Sequence, residues 1–357
     1  MRGAARITLW ALAIAVVAAA GLSVGDDQVK PDAQPPQSEA VRRLLAGEFK
    51  WTTGAPVVSR HGDGDGQTYY SIKDPSIVRH DGRWHLFCTV RGKPRSHQVE
   101  YLSFADWPDA AKAERRFLDS ASTGYYCAPQ VFYFRPQKKW YMICQASDEA
   151  WQPKYGAAYA TCGDLGKPDS WSKLKPLGAR PADGKAGLDY WVICDEQRAY
   201  LFFTTLDGRM WREQTSLEAF PGGWSEAELA LRGDIFEASH TYKLKGLARY
   251  LTVVEAQGDG GRRYYKAYLA DRLDGPWTPV AATREKCFAG ADNVTQDEPR
   301  WTDSISHVEL IRTGSDERLE VDPENLQVLF QGVSDKDRGG KPYGEIPWRL
   351  GLLRPVR

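Results

Sequence analysis

Three carboxylic acids in this chain stand just ahead of apolar, strand-like runs. They are Asp74 in "IKDPSIV", Asp189 in "LDYWVICD" and Glu237 in "DIFEASHTY". One acid at the mouth of a strand reads as solubility. Three at corresponding places are harder to dismiss, because clustered carboxylates cost folding energy unless some are protonated or paired. Proteins keep such clusters mainly at functional sites. Three acids at one mouth suit glycoside hydrolysis, which needs a general acid with a raised pKa and a second carboxylate as base or nucleophile. A third acid can raise the first one's pKa. A hard-cation site is the alternative chemistry for Asp, Glu and His. The one GxSxG, "GLSVG" at residues 21–25, falls at the end of the N-terminal apolar segment and not on a strand-to-helix turn, which argues against a serine hydrolase.

The elements that must hold these acids recur along the chain. "DPSIVRHDGRWHLFCTVR", "APQVFYFRPQKKWYMICQA", "DYWVICDEQRAYLFFTTLDGRMWR", "EASHTYKLKGLARYLTVVEA" and "SHVELIRTGSDERLEV" each read as strand, polar turn, strand. This is hairpin chemistry. The units begin at Asp74, Ala128, Asp189, Glu237 and Ser306, spaced 54, 61, 48 and 69 residues apart. A strand-only repeat of that period predicts an all-β fold, a five-bladed β-propeller, with a β-sandwich as the alternative. In a propeller the first strand of each blade lines the axis, so the opening residues converge at one mouth of the channel.

Composition narrows the partners. Lys+Arg and Asp+Glu number 47 each, so the formal net charge is zero. Nothing favours nucleic acid or an anionic membrane surface. The 13 Trp and 17 Tyr are mostly strand and core filling, with some expected in a sugar-binding cleft. Arg2 and Arg6 precede an apolar run over residues 7–20 that ends in small residues. Residues 1–25 therefore read as a secretory signal peptide, and the mature form is expected in the extracellular space or a periplasm, with no membrane anchor. Residues 26–45 read as a Pro-rich polar linker and a short N-terminal segment, and 46–357 as the single propeller domain. The six Cys form no CxxC pair, so a zinc site is not expected. Export permits disulfides, and buried free thiols fit equally well.

The chain resembles glycoside hydrolase family 62, the secreted α-L-arabinofuranosidases. The resemblance runs from about Trp51 to Arg357. It is carried by "IKDPSIV", "LDYWVICD", "DIFEASHTY", "YLTVVEAQG", "GPWTPVAATREKCFAG", "WTDSISHVEL", "VDPENLQVLFQG" and "IPWRLGLL" in that order. It implies a five-bladed propeller that releases arabinofuranose with inversion. By the family pattern Asp74 is the general base, Asp189 the pKa modulator and Glu237 the general acid. Inversion places the acid and base carboxyls roughly 6.5–9.5 Å apart, leaving room for a water. Lys73 matches a lysine that contacts arabinose. Arg263 matches an arginine at the site, although the doubled Arg262-Arg263 leaves its register open by one residue. Tyr343 and Trp348 are expected to offer sugar-facing surface. His307 matches a histidine beside a calcium ion, expected to be structural, and the chemistry itself requires no cofactor. His240 is expected to pack.

The expected polymer is arabinoxylan, with arabinan as a second, and the expected state is a monomer. A β-xylosidase or endo-arabinanase of the wider clan, or a non-catalytic carbohydrate-binding propeller, are the alternatives. "IPWRLG" stands where relatives commonly read "LPYRPG", and Val308 where many have Gly, departures that touch the cleft. "LQVLFQG" resembles a protease site but lies inside the chain and reads as a native strand.

Overall fold

Polar turns between apolar strands close hairpins throughout the chain. At residues 80–83 the turn residues Asp81 (φ 47°) and Gly82 (φ 75°) both have positive φ, as a two-residue hairpin with the right twist requires. In a computed structural model that describes residues 37–61, 69–120, 124–178 and 184–356, these hairpins extend into five sheets. The expected leader and nearly all of the Pro-rich spacer lie outside the described residues. Among the described residues no helix is long and apolar enough to cross a membrane.

The first blade comprises Tyr69–His80, Arg83–Gly92, Gln98–Phe104 and Arg115–Phe117. The second comprises Tyr126–Phe134, Lys139–Ser147, Tyr155–Cys162 and Lys175–Pro176. The third comprises Leu188–Cys194, Arg198–Thr204, Arg209–Ser216 and Glu228–Arg232. The fourth runs outward from Ser239–Leu244 through Tyr250–Gln257 and Arg263–Ala270 to Thr278–Ala281, and Glu320–Val321 adds in parallel to its inner strand. The fifth has Ser304–Leu310, Val328–Val333 and Arg349–Pro355. It is completed by Trp51–Thr53 from the other end of the chain, with Val294–Gln296 outermost. The "VLFQG" text is thus a fully buried strand.

A short helix, Glu39–Leu45, begins behind the Ser38 cap, whose hydroxyl accepts the Val41 N–H. It buries Val41 and Leu44, and Leu44 joins the main apolar core. Across the axis, the buried Arg312 guanidinium pairs with Glu309 at 2.9 Å. It also donates to the Val131 carbonyl (3.0 Å) and the Ile77 carbonyl (2.9 Å), tying the fifth blade to the second and first. All six cysteines are buried and unpaired with one another.

Each inner strand carries one extra residue at the channel mouth. The register slips by one between Lys73 and Ser76, Cys127 and Gln130, Leu188 and Trp191, and Ser306 and Glu309. In each bulge one non-glycine residue is left-handed: Asp74 (φ 49°), Ala128 (51°), Asp189 (54°) and His307 (38°). The fourth blade does the same with Ala238 (51°), between the Glu255 N–H to Glu237 carbonyl bond and the Ser239–Val254 pair. A left-handed L-residue costs about 1–2 kcal/mol. Such strain persists where the surroundings over-determine it. Here the determinant is a ring of hydrogen bonds between blades. The N–H of Asp74 donates to Gln331 Oε1 (2.7 Å), and that of Ala128 to Thr89 Oγ1 (2.8 Å). Those of Asp189, Ala238 and His307 donate to Gln145 Oε1 (2.8 Å), Asp189 Oδ2 (3.1 Å) and Glu255 Oε2 (2.8 Å). In every case the acceptor comes from the preceding blade.

Candidate active site

The bulge ring corrects one detail of the repeat. The equivalent residues are Asp74, Ala128, Asp189, Ala238 and His307, so Glu237 lies one residue ahead of its expected place. In register it matches Lys73, not Asp74. The three carboxyls still share one electrostatic environment. Asp189, Glu255, Arg263 and Lys73 all act on Glu237, and Lys73, His307 and His97 act on Asp74.

The two outer carboxyls are driven in opposite directions. Burial tends to raise the Asp74 pKa, but Lys73 (Nζ to Oδ2 3.8 Å) and His307 (Nδ1 to Oδ1 3.4 Å) outweigh it and hold the carboxyl below the usual aspartate range. Burial raises Glu237 well above the usual glutamate range, and the like charges of Glu255 and Asp189 add to it. Arg263 opposes this from 3.4 Å without reversing it. Asp189 is pushed up to about 6, first by burial, then by Asp74 and Glu255, against the pull of His307. The Glu237 side chain keeps 14% of its surface exposed and that of Asp74 7%, so Glu237 is the more open of the two.

Arg263, not Arg262, is the arginine of the site. It bridges Glu237 and Glu255 and lies 3.7 Å from the Phe236 ring centroid, while Arg262 pairs with Asp335 at the surface. Phe236 thus holds the cation beside the acid it precedes. Lys73 is buried; burial disfavours its charge, but Asp74 prevails and its pKa is raised. Its ammonium lies 5.4 Å from the ring centroid of Tyr343, which is 52% exposed at the mouth.

Trp348 does not meet its expectation. It is 3% exposed and packs with Val333 and Ile346, so its ring offers no sugar-facing surface. The segment before it is irregular rather than strand, so alternation does not set the direction of the indole. His240 packs as expected, stacked on Trp191 at 4.1 Å with Nδ1 on the Val308 carbonyl.

Nothing around His307 supports the calcium expectation. Nδ1 of His307 faces Asp74, and its backbone N–H is taken by Glu255. Calcium wants six to eight oxygens. Among the described residues no group of three or more His, Cys, Asp or Glu is placed to hold a metal ion. His307 is instead the partner that helps keep Asp74 ionised.

The supporting polar residues Gln145, Glu255 and Gln331 did not emerge from the sequence. Each sits in the second strand of its blade, in "MICQAS", "TVVEAQ" and "VLFQGV". A polar residue breaking an apolar run at the level of the bulge, once per blade, is the signal that marks them.

Comparison with known proteins shows the family. The sequence model described as glycosyl hydrolase family 62 matches residues 51–354, and the chain belongs to that family. It is 40% identical over 316 residues to α-L-arabinofuranosidase C of Cellvibrio japonicus (strain Ueda107), covering 87% of this chain and 48% of that protein. The chain thus spans about half the length of that curated relative. The catalytic domain of the Coprinopsis cinerea family-62 α-L-arabinofuranosidase superposes with a TM-score of 0.80 at 36% identity, covering 87% of this chain and 98% of that one. A family-62 hydrolase solved in complex with xylotriose gives a TM-score of 0.80 at 34% identity, covering 88% and 99%.

Proposed function

We infer that this chain is an exported, monomeric α-L-arabinofuranosidase that removes single arabinofuranosyl side chains from arabinoxylan, and from arabinan as a second polymer, with inversion. The observation that carries the reading is the opposed tuning of two carboxyls at one channel mouth: the pKa of Asp74 is pushed down by Lys73 and His307, and that of Glu237 is pushed up by desolvation, Glu255 and Asp189. A base and an acid of that kind are what single-displacement hydrolysis requires. The names of the Cellvibrio and Coprinopsis relatives supply the sugar, and xylotriose bound to a third supports a xylan backbone in the cleft.

In this mechanism Glu237 gives its proton to the glycosidic oxygen as the bond to the anomeric carbon breaks. Asp74 takes a proton from a water that attacks the same carbon from the opposite face. Lys73 and His307 keep Asp74 anionic until that transfer. Asp189 keeps the proton on Glu237 until it is needed.

The test is a product profile on arabinoxylan, linear arabinan and linear xylan. Free arabinose from arabinoxylan, with the xylan backbone left whole, is expected. Xylose or arabino-oligosaccharides as the main products would instead identify a β-xylosidase or an endo-arabinanase, and binding without release a lectin.

A further inference from the structure

Glu255 is completely buried and has no part in the steps above. Its carboxylate sits among donors. Arg263 reaches Oε1 at 3.1 Å, Ser306 Oγ lies 3.0 Å from both oxygens, the His307 N–H donates to Oε2 at 2.8 Å and the Tyr265 hydroxyl at 3.2 Å. Every one of these neighbours donates, and the two Glu255 oxygens accept. The same nitrogen of Arg263 lies 3.4 Å from Glu237. One guanidinium N–H group is therefore shared by two carboxyls, and the non-catalytic one is nearer.

The network does not stop there. Ser306 accepts from Gln331 Nε2 at 3.0 Å, and Gln331 Oε1 accepts the Asp74 N–H at 2.7 Å. A continuous hydrogen-bonded path thus joins Glu237 to the backbone of Asp74 through Arg263, Glu255, Ser306 and Gln331, across the fourth, fifth and first blades. Glu255 is the one charged member of that path whose side chain bonds to neither Glu237 nor Asp74.

We propose that Glu255 is a positioning residue for the acid: by holding Arg263 on its own carboxylate, it keeps the guanidinium from pairing fully with Glu237, so that Glu237 retains its proton for the leaving oxygen. The groups facing Glu237 are Asp189 from the third blade, Lys73 from the first, Tyr343 from the segment before the last strand, and Glu255, Arg263 and Tyr265 from its own. Arg263 and Lys73 are the cations of that set, and only Arg263 has a second carboxylate to occupy it within hydrogen-bonding distance. This proposal rests on Glu237 being the general acid.

The experiment is the pH dependence of kcat/KM for Glu255→Gln on arabinoxylan. Activity is lost as pH rises through the Glu237 pKa, because the acid must be protonated. Freed Arg263 would lower that pKa, as an opposite charge within about 4–6 Å does by roughly one unit or more. The alkaline limb should therefore move down by roughly one pH unit, with activity recovering toward wild type on the acidic side. Ser306→Ala, which leaves the Glu255–Arg263 pair, should keep the limb in place. If Glu255→Gln does not fold, Glu255→Asp keeps the charge with a looser hold on Arg263, and its limb should lie below that of wild type. Activity lowered at every pH with the limb unmoved means that Glu255 only supports the fold, and overturns the proposal. A control separates this from failure of the acid assignment. An aryl arabinofuranoside whose leaving group needs no proton should lose the wild-type alkaline limb. If the limb persists there, Glu237 is not the acid.

Discussion

Glu237→Gln is expected to lower kcat on arabinoxylan by roughly 10²–10⁴-fold, the usual contribution of general acid–base catalysis. The leaving group is a sugar hydroxyl, which departs poorly as an alkoxide. A Gln amide has no proton to give it. On an aryl arabinofuranoside with an acidic leaving group the loss should be far smaller, and that contrast identifies the missing function as proton donation. The fold should not suffer. Gln has the shape of the protonated acid that burial favours. A carboxyl whose folded pKa lies above its unfolded value withdraws stability as pH rises from the unfolded pKa through the folded one. Glu237 is such a group. The Gln variant should therefore melt at or above the wild-type temperature at neutral pH. Near wild-type turnover in a folded Gln variant would sink the acid assignment.

Asp74→Asn is expected to cost a similar factor, roughly 10²–10⁴-fold in kcat, with the opposite effect on stability. Asn cannot take the proton of the attacking water. It tolerates a left-handed backbone better than most residues, so the bulge at φ 49° should survive. Asp74 is a carboxyl whose folded pKa is depressed by Lys73 and His307. Such a group contributes stability above its unfolded pKa, and that contribution is lost as pH falls through the folded pKa. Removing it leaves the buried Lys73 without its nearest carboxylate. The Asn variant should melt below wild type at pH 7, with the gap closing in acid. Azide, small enough to occupy the place of the water, should restore turnover and give the inverted arabinosyl azide. Unimpaired turnover without azide would remove Asp74 from the mechanism. The two variants thus share one kinetic defect and differ in the sign of their stability change.

The sequence read well where local chemistry repeats. Apolar strands separated by polar turns identified hairpins, and their period identified blades. The three acids were visible because each opens an apolar run. What escaped depended on spatial relations that a single chain does not spell out. The one-residue offset of Glu237 follows from a bulge whose left-handed residue is Ala238, and no residue type there advertises it. The closure of the fifth blade pairs Trp51 with Pro355, at opposite ends of the domain. Glu255 looks like an interruption in "TVVEAQ" until Arg263, Ser306 and His307 are brought round it by neighbouring strands. The direction of Trp348 was misjudged because residue type says nothing about which way an irregular segment points its side chain.

The central claim is a single displacement, with Asp74 activating water on the face opposite the bond that Glu237 protonates. Proton NMR of the arabinose first released from arabinoxylan, recorded before mutarotation, tests it most directly. The β anomer is expected in the earliest spectra, with the α anomer growing in only as the sugar equilibrates. An α anomer at the earliest time would contradict it, because retention requires a covalent intermediate on one of these carboxylates.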